Sequence, residues 1–269
     1  MLPIVAGSLA VALYAAATLA LASKLRPGGR SRSAQAFALA LGAAVLHAAA
    51  LYHEVLVPEG LDLGFFRALS LATWVIVVLL LLLSLREPVG NLGLGLLPIA
   101  ALAVLAALIF GGTPAAPTVR TTDSQLEFHI LVSICAYAVL SLAAMQAVLL
   151  GLQQRLLHSH QPAGALRALP PLYVMESLLF RMIAIGFVLL TVALASGFVF
   201  LEDMFAQHLV HKTVLSIIGW ALFAVLLAGH YAFGWRGPTA VRFTLGGIAL
   251  LLLAYFGSKF VLELILERA

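Results

Sequence analysis

Long apolar runs recur along the chain, separated by short stretches in which the charged residues collect. The runs lie near Leu2 to Ser23, Ala34 to His53, Phe66 to Leu85, Leu92 to Phe110, Phe128 to Leu149, Leu179 to Phe200, Thr213 to Phe233 and Phe243 to Leu262. A hydrocarbon layer of about 30 Å takes roughly 20 residues in helical form, and in lipid every backbone N–H and C=O must be bonded within the segment. The pattern therefore predicts an all-α, polytopic membrane bundle of about eight transmembrane helices. It is read as one integral membrane domain over 1–269. The first run lacks a small-residue cleavage site, and Lys24 follows it directly, so it is expected to be retained as a helix.

Composition agrees with the pattern. The chain of 269 residues is 63% hydrophobic and 10% charged, with a mean hydropathy of +1.11. A soluble domain is typically about half apolar and a quarter charged. Basic residues in short loops stay on the cytoplasmic side. Lys24, Arg26, Arg30 and Arg32 follow the first run, Arg86 the third, Arg155, Arg167 and Arg181 surround the link after the fifth, and Arg236 and Arg242 follow the seventh. All fall on one face if both termini are outside. Glu54, Glu59, Asp62, Asp123, Glu127, Glu202 and Asp203 then gather on the other. The net charge of +4 is thus a mark of topology and gives no reason to expect a nucleic-acid partner; membrane lipid is the expected surrounding.

Cys135 is the single cysteine, so no intramolecular disulfide or CxxC pair can form. Chemistry is concentrated in eight histidines. His158 and His160 read as solvated loop residues, and His53 as interfacial. His208 and His211 share an i, i+3 spacing that suits a metal, with no third ligand near in sequence. His47 and His230 stand inside apolar helices, where an imidazole needs a partner or a function. Small residues flank both, in Gly42-Ala43-Ala44-Val45-Leu46-His47-Ala48-Ala49-Ala50 and Ala228-Gly229-His230-Tyr231. His129 enters the fifth run in Glu127-Phe128-His129-Ile130. Two readings stand at this point. Each imidazole bonds a serine hydroxyl or a backbone carbonyl across helices, or it offers a free ring nitrogen to haem iron.

The second half carries a series of motifs in order. His129 is followed by Ser133 and Cys135-Ala136-Tyr137-Ala138; then come Glu176, Phe180-Arg181, Gly186-Phe187, Leu189-Leu190-Thr191 and Ser196-Gly197. Lys212-Thr213, Trp220, His230, Trp235-Arg236-Gly237 and Ala254-Tyr255-Phe256-Gly257 complete it. This series resembles the cytochrome c assembly membrane proteins of the CcsA and CcmC type, and within them the small YpjD or HemX-like subgroup. The likeness runs most clearly over 128–262. It implies haem-iron ligand roles for His129 and His230, haem b as the cofactor, and cytochrome maturation proteins or a membrane complex as partners.

His47 is a further candidate ligand from its setting alone, and Arg181 and Arg236 are candidates to meet haem propionates. By rise per residue, His47 lies roughly 20 Å from the cytoplasmic end of its run and His230 roughly 8 Å from its own. An iron shared by two imidazoles needs nitrogens about 4 Å apart, so pairing of His47 with His129 and single ligation both stay open. The Trp-rich outer segment of the large family members is absent, the tryptophans being Trp74, Trp220 and Trp235. The resemblance therefore implies haem handling at the bacterial inner membrane without ligation of haem to apocytochrome, and no enzyme. A small-solute or ion transporter subunit and a membrane scaffold are the rival readings.

The topology is open to a direct check. In a Cys135→Ser background, cysteine at Glu59 is expected to react with an impermeant maleimide on intact spheroplasts. Cysteine at Arg86 is expected to react only after lysis, and the opposite pattern would invert the orientation.

Overall fold

The computed structural model describes residues 2–23, 33–57, 60–61, 64–111, 124–158, 169–200, 210–257 and 260. Lys24, Arg26, Arg30, Arg32, Glu59, Asp62, Asp123, His160, Arg167, Glu202, Asp203, His208, Lys259 and Glu263 lie outside the described residues, as does the side chain of His211. Among the described residues there are eight helices long and apolar enough to cross a membrane. They are α1 (Leu2–Ala22), α2 (Ser33–Val55), α3 (Phe65–Ser84), α4 (Gly93–Phe110), α5 (Ser124–His158), α6 (Leu172–Phe200), α7 (Val210–Phe233) and α8 (Gly237–Leu252). A two-residue antiparallel bridge, Leu56–Val57 with Gly60–Leu61, follows α2. The all-α reading holds.

Two helices far outlast their apolar runs. α5 has 35 residues and α6 has 29, about 52 and 44 Å at 1.5 Å per residue. Apolarity ends where water begins, whereas a helix ends where its backbone is stopped. Residues Gln153, Gln154, Arg155, Leu156 and Leu157 are good helix formers and carry α5 onward. At the other side of the link, Pro171 accepts from the N–H groups of Val174 and Met175. Proline suits a first turn, so α6 starts at once, and Glu176 and Arg181 lie within the helix rather than before it.

The helices group into two compact units, one holding α1–α4 and the other α5–α8. In the first unit α1 packs on α2 and α4, and α3 packs on the same two. The core is built from small side chains, Ala10, Ala17, Ala36, Ala40, Ala43 and Ala100, around Tyr14, Val77, Leu97 and Val104. Small residues let helices approach closely, which is how apolar helices gain contact energy in lipid. Into this core is set His47, with no exposed surface. Its Nδ1 meets the hydroxyl of Tyr14 at 3.2 Å and its Nε2 that of Ser70 at 2.9 Å. The imidazole thus ties α2 to α1 and α3, beside a second link from Trp74 Nε1–H to the Ala44 carbonyl at 2.9 Å.

In the second unit α5 packs on α6 and α8, and α7 on the same two. Gly186 lets α6 close on α5: a Cβ there would stand 2.6 Å from Leu140 Cδ2, and Leu140 is fully buried. The Gln146 side-chain amide donates to the Met175 carbonyl at 3.0 Å. α8 passes into a π-helical turn, Leu253–Gly257. Such a turn alters which N–H each carbonyl meets, and the Tyr137 hydroxyl donates to Leu251 O at 2.8 Å just before it.

Two stability effects follow, to be read from unfolding in mixed detergent and SDS. Gly186→Ala is expected to cost about 1–3 kcal/mol through overpacking. His47→Ala, which strands two buried hydroxyls, is expected to cost about 1–3 kcal/mol, with His47→Gln milder.

Candidate functional site

The site is built where α7 ends. Gly234, at φ +68°, closes the helix in the left-handed conformation that glycine adopts without strain, and its N–H bonds the His230 carbonyl at 3.0 Å. The chain then folds back, with Trp235 N–H on the Gly229 carbonyl at 3.2 Å. The indole lies against Gly229 so closely that a Cβ there would fall 2.3 Å from Trp235 Cε3. Glycine at 229 is therefore what lets the turn return onto the helix.

This return brings the Trp235 carbonyl to 2.9 Å from His230 Nδ1. A carbonyl only accepts, so Nδ1 carries the proton, and in the neutral ring Nε2 keeps its lone pair. Phe180 stacks on the imidazole face, with centroids 3.5 Å apart and planes 15° from parallel. The stack covers one face of the ring, whereas the Nε2 lone pair lies in the ring plane, off that face. Metal-binding histidines very often have this second bond from N–H to a carbonyl, which fixes tautomer and orientation.

His230 lines a cavity of about 380 Å³ together with Tyr173, Glu176, Ser177, Phe180, Arg181, Ala184, Tyr231 and Arg236. That volume is in the range of small-molecule sites. Glu176, Phe180, Arg181 and Ala184 come from one face of α6 by helical spacing, while His230 comes from α7 and Arg236 from the turn before α8. Two guanidinium groups against one carboxylate leave the lining cationic by one charge with neutral histidine. One carboxylate oxygen of Glu176 is itself engaged, accepting from Gly237 N–H at 3.1 Å. The residues suit haem: an imidazole lone pair for the iron and arginines for anionic groups.

Three of the five candidate residues, His230, Arg181 and Arg236, thus share one cavity. His129 lies elsewhere. Its Nδ1 is 2.9 Å from Ser196 Oγ, and that hydroxyl donates its proton to the Ala193 carbonyl at 2.9 Å. Both bonds are made at once only if His129 Nδ1 is the donor, which again leaves a lone pair on Nε2. Phe180 and Ser196, which hold the two imidazoles, are sixteen residues apart on α6, about 24 Å along its axis. One iron cannot take both. His47 belongs to the first unit, and its two ring nitrogens are already engaged by Tyr14 and Ser70. Its contacts are those of the hydrogen-bonding alternative.

Sequence reading missed Phe180 as the stacking partner and Glu176 as the partner of Gly237. The spacing of Glu176, Phe180 and Arg181 on one helical face was available as a signal once α6 is started at Leu172. Among the described residues no three histidine, cysteine or carboxylate side chains converge as a metal-ion cluster.

The family described as Cytochrome C assembly protein matches residues 36–266, well beyond the stretch in which the motifs are clearest. The inner membrane protein YpjD of Escherichia coli K12 is 36% identical over 229 residues, covering 83% of this chain and 84% of that protein. A 28.8 kDa protein of Azospirillum brasilense is 35% identical over 155 residues, 56% of this chain and 57% of that one. The cytochrome c biogenesis protein CcsA of Prochlorococcus marinus NATL1A is 25% identical over 201 residues, 65% of this chain and 62% of that protein. No solved structure matches. With eight membrane-length helices among the described residues and a likeness to an inner membrane protein over 83% of the chain, this is a multi-pass protein of the inner membrane, and the chain belongs to the cytochrome c assembly protein family.

Proposed function

We propose that this protein binds and handles haem within the inner membrane in the service of cytochrome c assembly, without itself ligating haem to apocytochrome. The observation that carries the reading is His230, with its proton held on Nδ1 and its Nε2 lone pair left for a ligand, in a cavity shared with Arg181 and Arg236. Haem supplies an iron that accepts an imidazole nitrogen and carboxylates that pair with guanidinium groups. His230 would hold the iron. Arg181 and Arg236 would meet the propionates.

In this reading His129 marks a second position for haem near the other end of α6, acting separately from His230. His47 is a structural tie of the first unit. Positive-inside orientation would put the His230 cavity toward the cytoplasm and His129 toward the outer face. A haem-handling role also fits the naming of the relative from Prochlorococcus marinus as a cytochrome c biogenesis protein. Membrane lipids and cytochrome maturation proteins are its natural partners.

The test is a titration of detergent-purified protein with hemin, followed by absorption in the oxidised and dithionite-reduced states. The wild type is expected to develop a Soret band with sharp reduced bands. His230→Ala is expected to weaken binding tenfold or more, and Arg181→Ala and Arg236→Ala about two- to five-fold each, the order of an exposed charge pair. A wild type that gains no Soret band with excess hemin would contradict the proposal.

A further inference from the structure

The turn between α7 and α8 is held at two points one peptide apart. The carbonyl of Trp235 accepts the Nδ1–H of His230 at 2.9 Å. The N–H of Gly237 donates to Glu176 Oε1 at 3.1 Å. Between these points lies only Arg236, and the glycines on either side of it, Gly234 and Gly237, have φ of +68° and +55°. The N–H groups of Gly234 and Trp235 are bonded within the turn, whereas Gly237, as a glycine, resists backbone rotation least of all residues, so the Arg236–Gly237 peptide gains most from an outside partner.

Glu176 supplies that partner from α6, a helix of the same unit. Its bond fixes the Arg236–Gly237 peptide, the immediate neighbour of the Trp235–Arg236 peptide whose carbonyl takes the His230 proton. Indole contact with Gly229 restrains the Trp235 side chain, yet it does not set the direction of the Trp235 carbonyl. A rival explanation makes Glu176 a counter-ion to the arginines of the cavity. That explanation uses the charge of the carboxylate; the geometry uses one of its oxygens as an acceptor.

We infer that Glu176 is a positioning residue: by holding the N–H of Gly237 it aims the Trp235 carbonyl at His230, keeping the proton on Nδ1 and the lone pair on Nε2. The consequence for iron ligation rests on the haem reading above. The tautomer itself does not. When such supporting bonds to a metal-binding histidine are removed, affinity for the metal typically falls 10–100-fold.

The experiment is nitrogen NMR of the full-length, ¹⁵N-histidine-labelled protein in detergent micelles, without haem. The chain has eight histidines, and the His230 signal is assigned as the one lost in His230→Gln. In the wild type His230 is expected as the neutral Nδ1–H tautomer. Glu176→Gln keeps an acceptor oxygen at the same reach and is expected to keep that tautomer; Glu176→Ala is expected to give a mixture or the Nε2–H form. Glu176→Asp, one methylene short, provides the same loss of reach should the alanine variant fail to fold, as judged by circular dichroism. A folded Glu176→Ala or Glu176→Asp with the wild-type tautomer would overturn the inference, as would a Glu176→Gln that loses it as fully as alanine does.

Hemin titration of the same samples separates the two readings. Weakening of 10–100-fold in Glu176→Ala, with the tautomer change, supports the link to ligation. A wild type that takes up no hemin removes the haem reading and leaves the tautomer result standing. Hemin uptake by the wild type together with an unaltered tautomer in the alanine and aspartate variants does the reverse.

Discussion

An imidazole placed among apolar helices has two nitrogens to satisfy and no water to help. How the protein settles that demand separates structural from ligand-ready histidines in this chain. His47 meets two hydroxyls and is spent on both edges. His230 gives its proton to a backbone carbonyl, and His129 gives its own to a serine whose hydroxyl proton is already committed. In these last two the second nitrogen is left as a lone pair. The carbonyl of Trp235 is the most consequential acceptor, since the proposed role of the cavity with Arg181 and Arg236 requires the Nε2 lone pair that this bond secures.

Close approach of helices makes the arrangement possible. Gly229 admits the half-buried Trp235 ring and Gly186 admits the buried Leu140; each is a place where one methyl group would push a packed partner aside. Lipid gives little incentive for apolar helices to associate, so contact surfaces made of small residues carry much of the packing. The alanine-lined core around Tyr14 and His47 applies the same solution in the first unit. The small residues flanking His47 leave room for another helix or a flat ligand to approach. In the folded chain neighbouring helices fill that room.

The eight helices were legible because the membrane imposes a length and an apolarity that no other environment demands. Their ends were less so, since Gln153 through Leu157 extend α5 on helix propensity after apolarity has stopped, and Pro171 starts α6 before it resumes. His230, Arg181 and Arg236 could be picked out one by one from family motifs and from their setting. That they share a cavity could not, because α6 and α7 are brought together by packing spread over many positions. The bonds that decide the chemistry run to the Trp235 carbonyl and the Gly237 N–H, and backbone groups leave no mark in residue identity. Glycine at 234 and 237 is the one visible trace, a sign that the turn between α7 and α8 needs φ values other residues avoid.

The central claim is that His230 presents its Nε2 to haem iron, and cavity rescue tests it most directly. His230→Gly, made in a His129→Ala background, loaded with haem and reduced, would be examined by resonance Raman with and without added imidazole. With His129 replaced by alanine to empty the second proposed position, the protein that keeps His230 is predicted to show an iron–imidazole stretch that vanishes when His230→Gly is added and returns when imidazole occupies the space left by the side chain. A stretch that persists in His230→Gly without imidazole would place the iron on another ligand and contradict the account.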